Sequence, residues 1–127
     1  MQKAIQEWLE ISEYDLETAR AMLNTGRYVY VVFMCQQSLE KILKAIYVKK
    51  KNELPPRTHN LLYLIEALDI KMSKENVLLL SHLNQFYLES RYPGERAQLA
   101  KEMNKERSEK ILKESKEVWK CLRGKLQ

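Results

Sequence analysis

The stretch Tyr28-Val29-Tyr30-Val31-Val32-Phe33-Met34-Cys35-Gln36-Gln37-Ser38-Leu39-Glu40-Lys41-Ile42-Leu43-Lys44-Ala45-Ile46-Tyr47-Val48-Lys49-Lys50-Lys51 contains no glycine and no proline. Wound at roughly 100° per residue, it puts Val29, Val32, Cys35, Leu39, Ile42, Leu43 and Ile46 on one face, which predicts a helix over about residues 28–50. Lys49 to Lys51 close it where a helix macrodipole favours cations. A helix this long and this apolar has to be enclosed by others, so the rest of the chain should supply them.

Working outward, an N-terminal helix over about residues 3–24 carries Trp8, Ile11, Leu16, Ala19, Met22 and Leu23 on its stripe, and Gly26 stops it. Pro55 and Pro56 break the chain after the central stretch. Thr58 is then expected to cap a short helix over about 59–69 (Leu61, Leu62, Leu64, Ile65, Leu68). Ser73 caps another over about 74–90, with Val77, Leu79, Leu80, Leu83, Phe86 and Tyr87 facing inward. Arg91-Tyr92-Pro93-Gly94 ends that helix, and a polar segment of about ten residues follows, either loop or short extra helix. Asn104 opens the last helix, over about 105–125, striped by Ile111, Leu112, Val118, Trp119, Leu122 and Leu126. The expected fold class is all-α: an antiparallel up-and-down bundle of four to five helices, forming one domain over residues 1–127.

Composition agrees. The chain has 127 residues, 45% hydrophobic and 31% charged, with only three Gly and three Pro, too few for the frequent turns of an all-β fold. No apolar run approaches the ~20 residues of a membrane span, and the first residues lack the apolar core of a signal peptide, so a cytoplasmic protein with no membrane contact is expected. Two cysteines far apart in sequence fit reduced thiols. The net charge of +5 is uneven: residues 1–27 sum to −2, 28–57 to +4, 58–90 to −2 and 91–127 to +5. Basic blocks of this kind favour acidic partners, although the interleaved Glu of the last helix also fits a solvated face. Two histidines and two distant cysteines make no metal-ligand set, isolated glycines make no phosphate loop, and no cofactor is expected.

Some polar residues fall inside apolar arcs. Asp15 lies about 20° from Trp8, Gln36 about 40° from Val32 with Glu40 at the edge of that arc, and Asn84 and Arg91 share the stripe of Leu80 and Tyr87. Buried charges need partners, so a shared cluster is expected, with Arg91 held by Asp15 or Glu40. It is either an ion-pair network that fixes helix register or a ligand pocket between helices.

The same residues carry a family resemblance. Trp8…Asp15-Leu16…Ala19, Phe33…Gln36-Gln37-Ser38-Leu39-Glu40-Lys41…Lys44-Ala45, Pro56-Arg57-Thr58-His59-Asn60-Leu61 and Tyr87…Ser90-Arg91-Tyr92-Pro93 resemble the HEPN domain (higher eukaryote and prokaryote nucleotide-binding) over about residues 5–122. The resemblance implies an antiparallel helical bundle, often homodimeric, similar to the helical half of kanamycin-type nucleotidyltransferases. It also implies a nucleotide or RNA ligand and a separate minimal nucleotidyltransferase as partner, in many cases as a toxin–antitoxin pair. The ligand site implied comprises Arg91, Lys44, Arg57, His59, Gln36, Gln37, Glu40, Asp15 and Tyr87, with phosphate contacts from Lys44, Arg57 and Arg91. HEPN ribonucleases carry an Arg followed four to six residues later by His. Here the histidines are His59 and His82, Arg57 stands two residues before His59, and no histidine follows Arg91. Catalytic residues are therefore not assigned, and a divergent ribonuclease and a non-catalytic dimerising scaffold remain as alternatives. The six apolar residues Tyr28 to Phe33 further point to a homodimer.

Overall fold

A computed structural model describes all of residues 1–127 as six helices with no strand: α1 Gln2–Asn24, α2 Tyr28–Lys51, α3 Leu61–Ala67, α4 Lys74–Glu89, α5 Pro93–Glu102 and α6 Lys105–Gly124. α2 packs against each of the other five, most extensively against α1 and then α6. Thirteen of its 24 residues are buried, so it is a core helix enclosed on nearly every side rather than an amphipathic one. Leu39, Ile42 and Leu43 sit at the centre of the core with Leu61, Leu64, Leu80, Leu83, Leu112 and Leu122.

The turns explain the antiparallel order. At the end of α1, Arg27 N–H donates to Met22 O (2.8 Å) and Gly26 N–H to Leu23 O (3.2 Å). This is the Schellman arrangement, and it needs the positive φ of Gly26 (76°). The chain re-enters helix at Tyr28, leaving α2 no choice but to run back along α1. Ser73 and Asn104 cap α4 and α6 as expected, accepting from Asn76 N–H and Arg107 N–H. α3 differs: Asn60, not Thr58, is its cap, accepting from Tyr63 N–H, while Thr58 Oγ1 accepts from Asn60 N–H. Asn84 belongs to this junction as well. Its side chain accepts from Leu61 N–H (2.9 Å) and donates to Asn60 Oδ1 (2.9 Å), pinning the start of α3 to α4.

The polar segment after Arg91 is the helix α5, which makes the count six. Pro93 opens it at the position where a missing N–H costs nothing. Leu99 anchors it in the core, and Arg96 donates to Ser90 O while its guanidinium lies 4.8 Å from the Tyr30 ring. Within Tyr28–Phe33, Val31 and Val32 are buried and Tyr28, Val29 and Phe33 half-buried, so the fold itself covers most of that run.

Of the residues expected inside, Val32, Leu39, Leu43, Leu80, Leu83, Ile111 and Val118 are buried, whereas Trp8, Leu16 and Trp119 are half-buried and Ile11 and Val77 exposed. Ile11 and Val77 each wind roughly 120° away from the centre of the face that is actually buried. On α1 that face is Leu9, Ser12, Ala19 and Leu23. Small residues bring α1 and α2 together there. Ser12 Oγ donates to Ser38 O (2.7 Å), Ser38 Oγ donates to Ser12 O (2.8 Å), and Trp119 Nε1 of α6 donates to Ser12 Oγ (2.7 Å). Cys35 is fully buried nearby. Burial pushes its thiol up to about 12 despite the Ser115 hydroxyl beside it, whereas Cys121 is exposed. No helix is long and apolar enough to cross a membrane.

Ser12 therefore ties three helices together. Ser12→Ala removes the acceptor of the Trp119 N–H and should cost roughly 1–3 kcal/mol in urea unfolding. Ser115→Ala removes a buried hydroxyl that has no nitrogen or oxygen partner and should cost less; equal losses would refute the three-helix lock.

Candidate functional site

The central helix carries a carboxylate into the interior. Glu40 is 1% exposed, a position that is tolerated only if both oxygens are satisfied. Oε2 accepts from Lys44 Nζ (3.0 Å) and Lys41 Nζ (3.3 Å), and Oε1 from His59 Nδ1 (2.8 Å) and Gln36 Nε2 (3.3 Å). Lys44 lies one turn on from Glu40, Gln36 one turn before it, so helical spacing alone brings three of these residues onto one ridge. Gln36 Nε2 also donates to His59 O (2.7 Å), which fixes the backbone of the loop that delivers the imidazole. Gln37 completes the support by donating to Gln36 Oε1 (2.7 Å) and accepting from Lys41 (2.8 Å). Lys44 is itself buried, its ammonium 5.5 Å from the centre of the Trp8 ring.

Burial alone would raise the Glu40 carboxyl, but the charge of Lys41 and the hydrogen bonds and charge from His59 and Lys44 outweigh it and hold Glu40 below the usual carboxylate range. An ionised carboxylate can only accept, so the proton between Glu40 and His59 sits on Nδ1. The other ring nitrogen, Nε2, is left to solvent, and the His59 side chain is 53% exposed. Its ring tilts against Tyr87 at 5.0 Å. Tyr87 in turn stacks on Phe33 at 5.5 Å and carries the Arg91 guanidinium 5.5 Å from its ring centre, with Arg91 Nη1 3.4 Å from the phenol oxygen. The result is a ledge in which a buried carboxylate orients an imidazole, an aromatic ring backs it, and an arginine lies across the same ring.

Most of the expected site residues meet here: Gln36, Gln37, Glu40, Lys44, His59, Tyr87 and Arg91. Arg57 is exposed, two residues before His59. The expected pairing of Arg91 with Asp15 or Glu40 is overturned. α4 ends at Glu89, so Arg91 is no longer governed by the helical winding that placed it on the Leu80 stripe, and it is exposed with no acidic partner. Glu40 is already saturated by cations from its own helix and by His59. Asp15 stands at the margin without a hydrogen bond: burial raises its carboxyl, Lys41 works against that and Glu40 adds to it. Lys41 and Phe33 were not among the expected site residues. The one-turn step from Gln37 to Lys41 and the aromatic surplus at Phe33 were the available signs.

The family model of the HEPN domain matches residues 5–125. The chain belongs to the HEPN domain family. Two solved structures share this HEPN fold. TT1696 from Thermus thermophilus superposes with a TM-score of 0.82 at 23% identity, covering 98% of this chain and 99% of that one. ST0689, an archaeal HEPN homologue, gives a TM-score of 0.76 at 18% identity, covering 97% and 98%. No curated protein sequence matches the chain.

The two carboxylates of this HEPN site should titrate with opposite signs. Glu40 is depressed in the fold, so its contribution to stability is present at neutral pH and is lost as pH falls through the folded value. Asp15 is raised, so its ionised form is a cost at neutral pH that disappears as pH falls through its own folded value. In thermal unfolding from pH 3 to 7, Glu40→Gln should lose roughly 3–5 kcal/mol at pH 7, since it strands two lysines, and should flatten the acid limb. Asp15→Asn should melt higher than wild type at pH 7 and equal to it at the acid end. A destabilised Asp15→Asn at pH 7 would contradict this assignment.

Proposed function

We propose that this HEPN chain is a nucleotide-binding subunit whose site is the ledge formed by His59, Tyr87 and Arg91, with Arg57 beside it. The observation that carries the reading is the exposed Arg91 guanidinium lying on the Tyr87 ring with no carboxylate to neutralise it. Arg91 keeps donors free for a phosphate, and the exposed His59 ring, backed by the buried Tyr87, offers aromatic surface to a base. Gln36, Gln37, Glu40 and Lys44 act from behind by fixing the imidazole. Lys44, buried between Glu40 and Trp8, serves this support rather than a direct phosphate contact. Asp15 tunes the charge around Lys41. On the strength of the HEPN resemblance, the subunit works as a homodimer alongside a separate minimal nucleotidyltransferase, in a toxin–antitoxin-like pair, and is similar to the helical half of kanamycin-type nucleotidyltransferases. Its setting is the cytoplasm.

A second reading, a divergent ribonuclease, draws on one observation: a carboxylate-oriented imidazole with Nε2 facing solvent is a competent proton acceptor. RNA would then be the substrate rather than a nucleotide the ligand.

Titration of the purified chain with ATP, GTP and short oligoribonucleotides, read by calorimetry, should give saturable binding that weakens roughly tenfold in Arg91→Ala, the scale of about 1.4 kcal/mol expected for one lost charged contact. Binding unchanged by Arg91→Ala would move the site elsewhere. Incubation with RNA in EDTA should give no cleavage above background. Cleavage abolished by His59→Gln would replace the binding reading with the ribonuclease one.

A further inference from the structure

α4 and α6 both rest on α2 and meet each other only sparingly. Between them lies a groove of about 490 Å³, which His59, Tyr87 and Arg91 do not line. The two helices run antiparallel along it: Arg107, in the first turn of α6, holds its guanidinium 5.5 Å from the ring centre of Phe86, near the end of α4. Glu75, in the first turn of α4, and Glu117 of α6 mark the other end. At ~1.5 Å per residue that end is roughly 16 Å away, about three turns of helix. The floor is apolar. Leu79, Phe86 and Ile111 are buried there, and Leu78, 56% exposed, stands on the rim.

The charges on the walls are sorted by sign. Arg107, Lys110 and His82 line one end, with the His82 ring 6.0 Å from that of Phe86, and Glu75, Glu114 and Glu117 line the other. Lys110 and Glu114 approach to 3.9 Å at the middle, one turn apart on α6. Arg107, Glu75 and Glu117 form no ion pair within the chain. These are hydrated surface charges and no defect of the fold, but their sorting gives the groove a direction. An apolar trench three turns long with opposite charges at its ends matches an amphipathic helix. Helices stabilised by their own macrodipole carry acids in the first turn and bases in the last. That order fits when the first turn of the occupant lies against Arg107 and its last turn against Glu117. Two acidic side chains outweigh the roughly half unit of positive charge at the helix terminus itself, so side chains set the direction. A nucleic-acid strand would be repelled by the acidic end.

We propose that the groove between α4 and α6 docks an amphipathic helix of a partner protein. The helix is acidic in its first turn, apolar along its inner face and basic in its last turn, and it runs parallel to α6. Leu78 takes up its apolar face, Arg107 and Lys110 its acids, and Glu114 and Glu117 its bases. The surface is separate from the ledge of His59, Tyr87 and Arg91, so the chain can hold its ligand and this partner together.

The probe is a fluorescein-labelled helical peptide of about fourteen residues, with Glu in the first turn, leucines three and four apart, and Lys in the last turn. Fluorescence anisotropy against the full chain should show saturable binding. A peptide of the same composition with its charges interleaved should bind at least roughly tenfold more weakly. The double variant Glu114→Lys with Glu117→Lys, its helicity confirmed by circular dichroism, should reject the first peptide and accept one that is acidic in both end turns, an exchange that general stickiness does not produce. Absence of saturable binding by the first peptide, or equal affinity for sorted and interleaved charges, overturns the proposal. So does a double variant that keeps the wild-type preference. Displacement of the peptide by a single-stranded oligoribonucleotide overturns it in favour of nucleic acid. ATP binding should be untouched by the double variant, so the ledge and the groove stand or fall separately.

Discussion

The structure turns on a negative charge that cannot reach water. Glu40 stands in the middle of the one helix that touches all the others, and its solvation must be replaced from within. Lys44 and Gln36, one turn to either side, and the adjacent Lys41 are supplied by the helix itself and cost nothing in long-range order. The fourth ligand, His59, has to be brought in from the segment after Pro55 and Pro56. That requirement reaches through the fold. Gln36 grips the His59 carbonyl, Asn60 caps α3 immediately afterwards, and Asn84 fastens that cap to α4. One buried carboxylate thus sets where α3 begins and how it meets α4.

The arrangement has the character of a support built to hold one side chain. An isolated ion pair inside a bundle is weak evidence of stability, because well-packed apolar residues of similar size do as well or better. Here the network ends in an imidazole that is half outside, pressed on Tyr87, with its second nitrogen free. Asp15 adds to the impression. It is half-buried, unpaired and pushed toward its neutral form, so packing gives no reason for an acid at that position.

The helices were legible because α2 has no breaker and because Gly26, Ser73 and Asn104 are unambiguous stop and start residues. α5 was harder: its single buried apolar residue, Leu99, leaves too little periodicity to separate a helix from a polar loop. Gln36 and Glu40 stood out in the sequence as polar residues inside an apolar arc, and the structure places them together with His59, which no winding angle relates to α2. The partner of Glu40 was not legible. Winding angles hold only while the helix lasts, and Arg91 falls beyond its end, so an angle of about 20° from Leu80 described a direction the chain no longer takes. The α1–α2 contact was missed for a different reason. Ser12 and Ser38 are polar by type, and only their mutual hydrogen bonds, visible in three dimensions, make them a buried junction between α1 and α2. At 23% and 18% identity the two solved structures keep the same fold, as expected when hydrophobic pattern rather than particular side chains specifies a bundle.

The contrast between the two thiols has a practical corollary. Cys35 is sealed in the core with its thiol pushed up to about 12, whereas Cys121 lies open on the last helix. Only the thiolate attacks electrophiles, and only where reagent can approach. The folded chain therefore carries a single site for maleimide or iodoacetamide chemistry. A fluorophore or spin label can be attached at α6 in one-to-one stoichiometry, on the natural sequence. Uptake of a second equivalent then reports that the interior around α2 has opened.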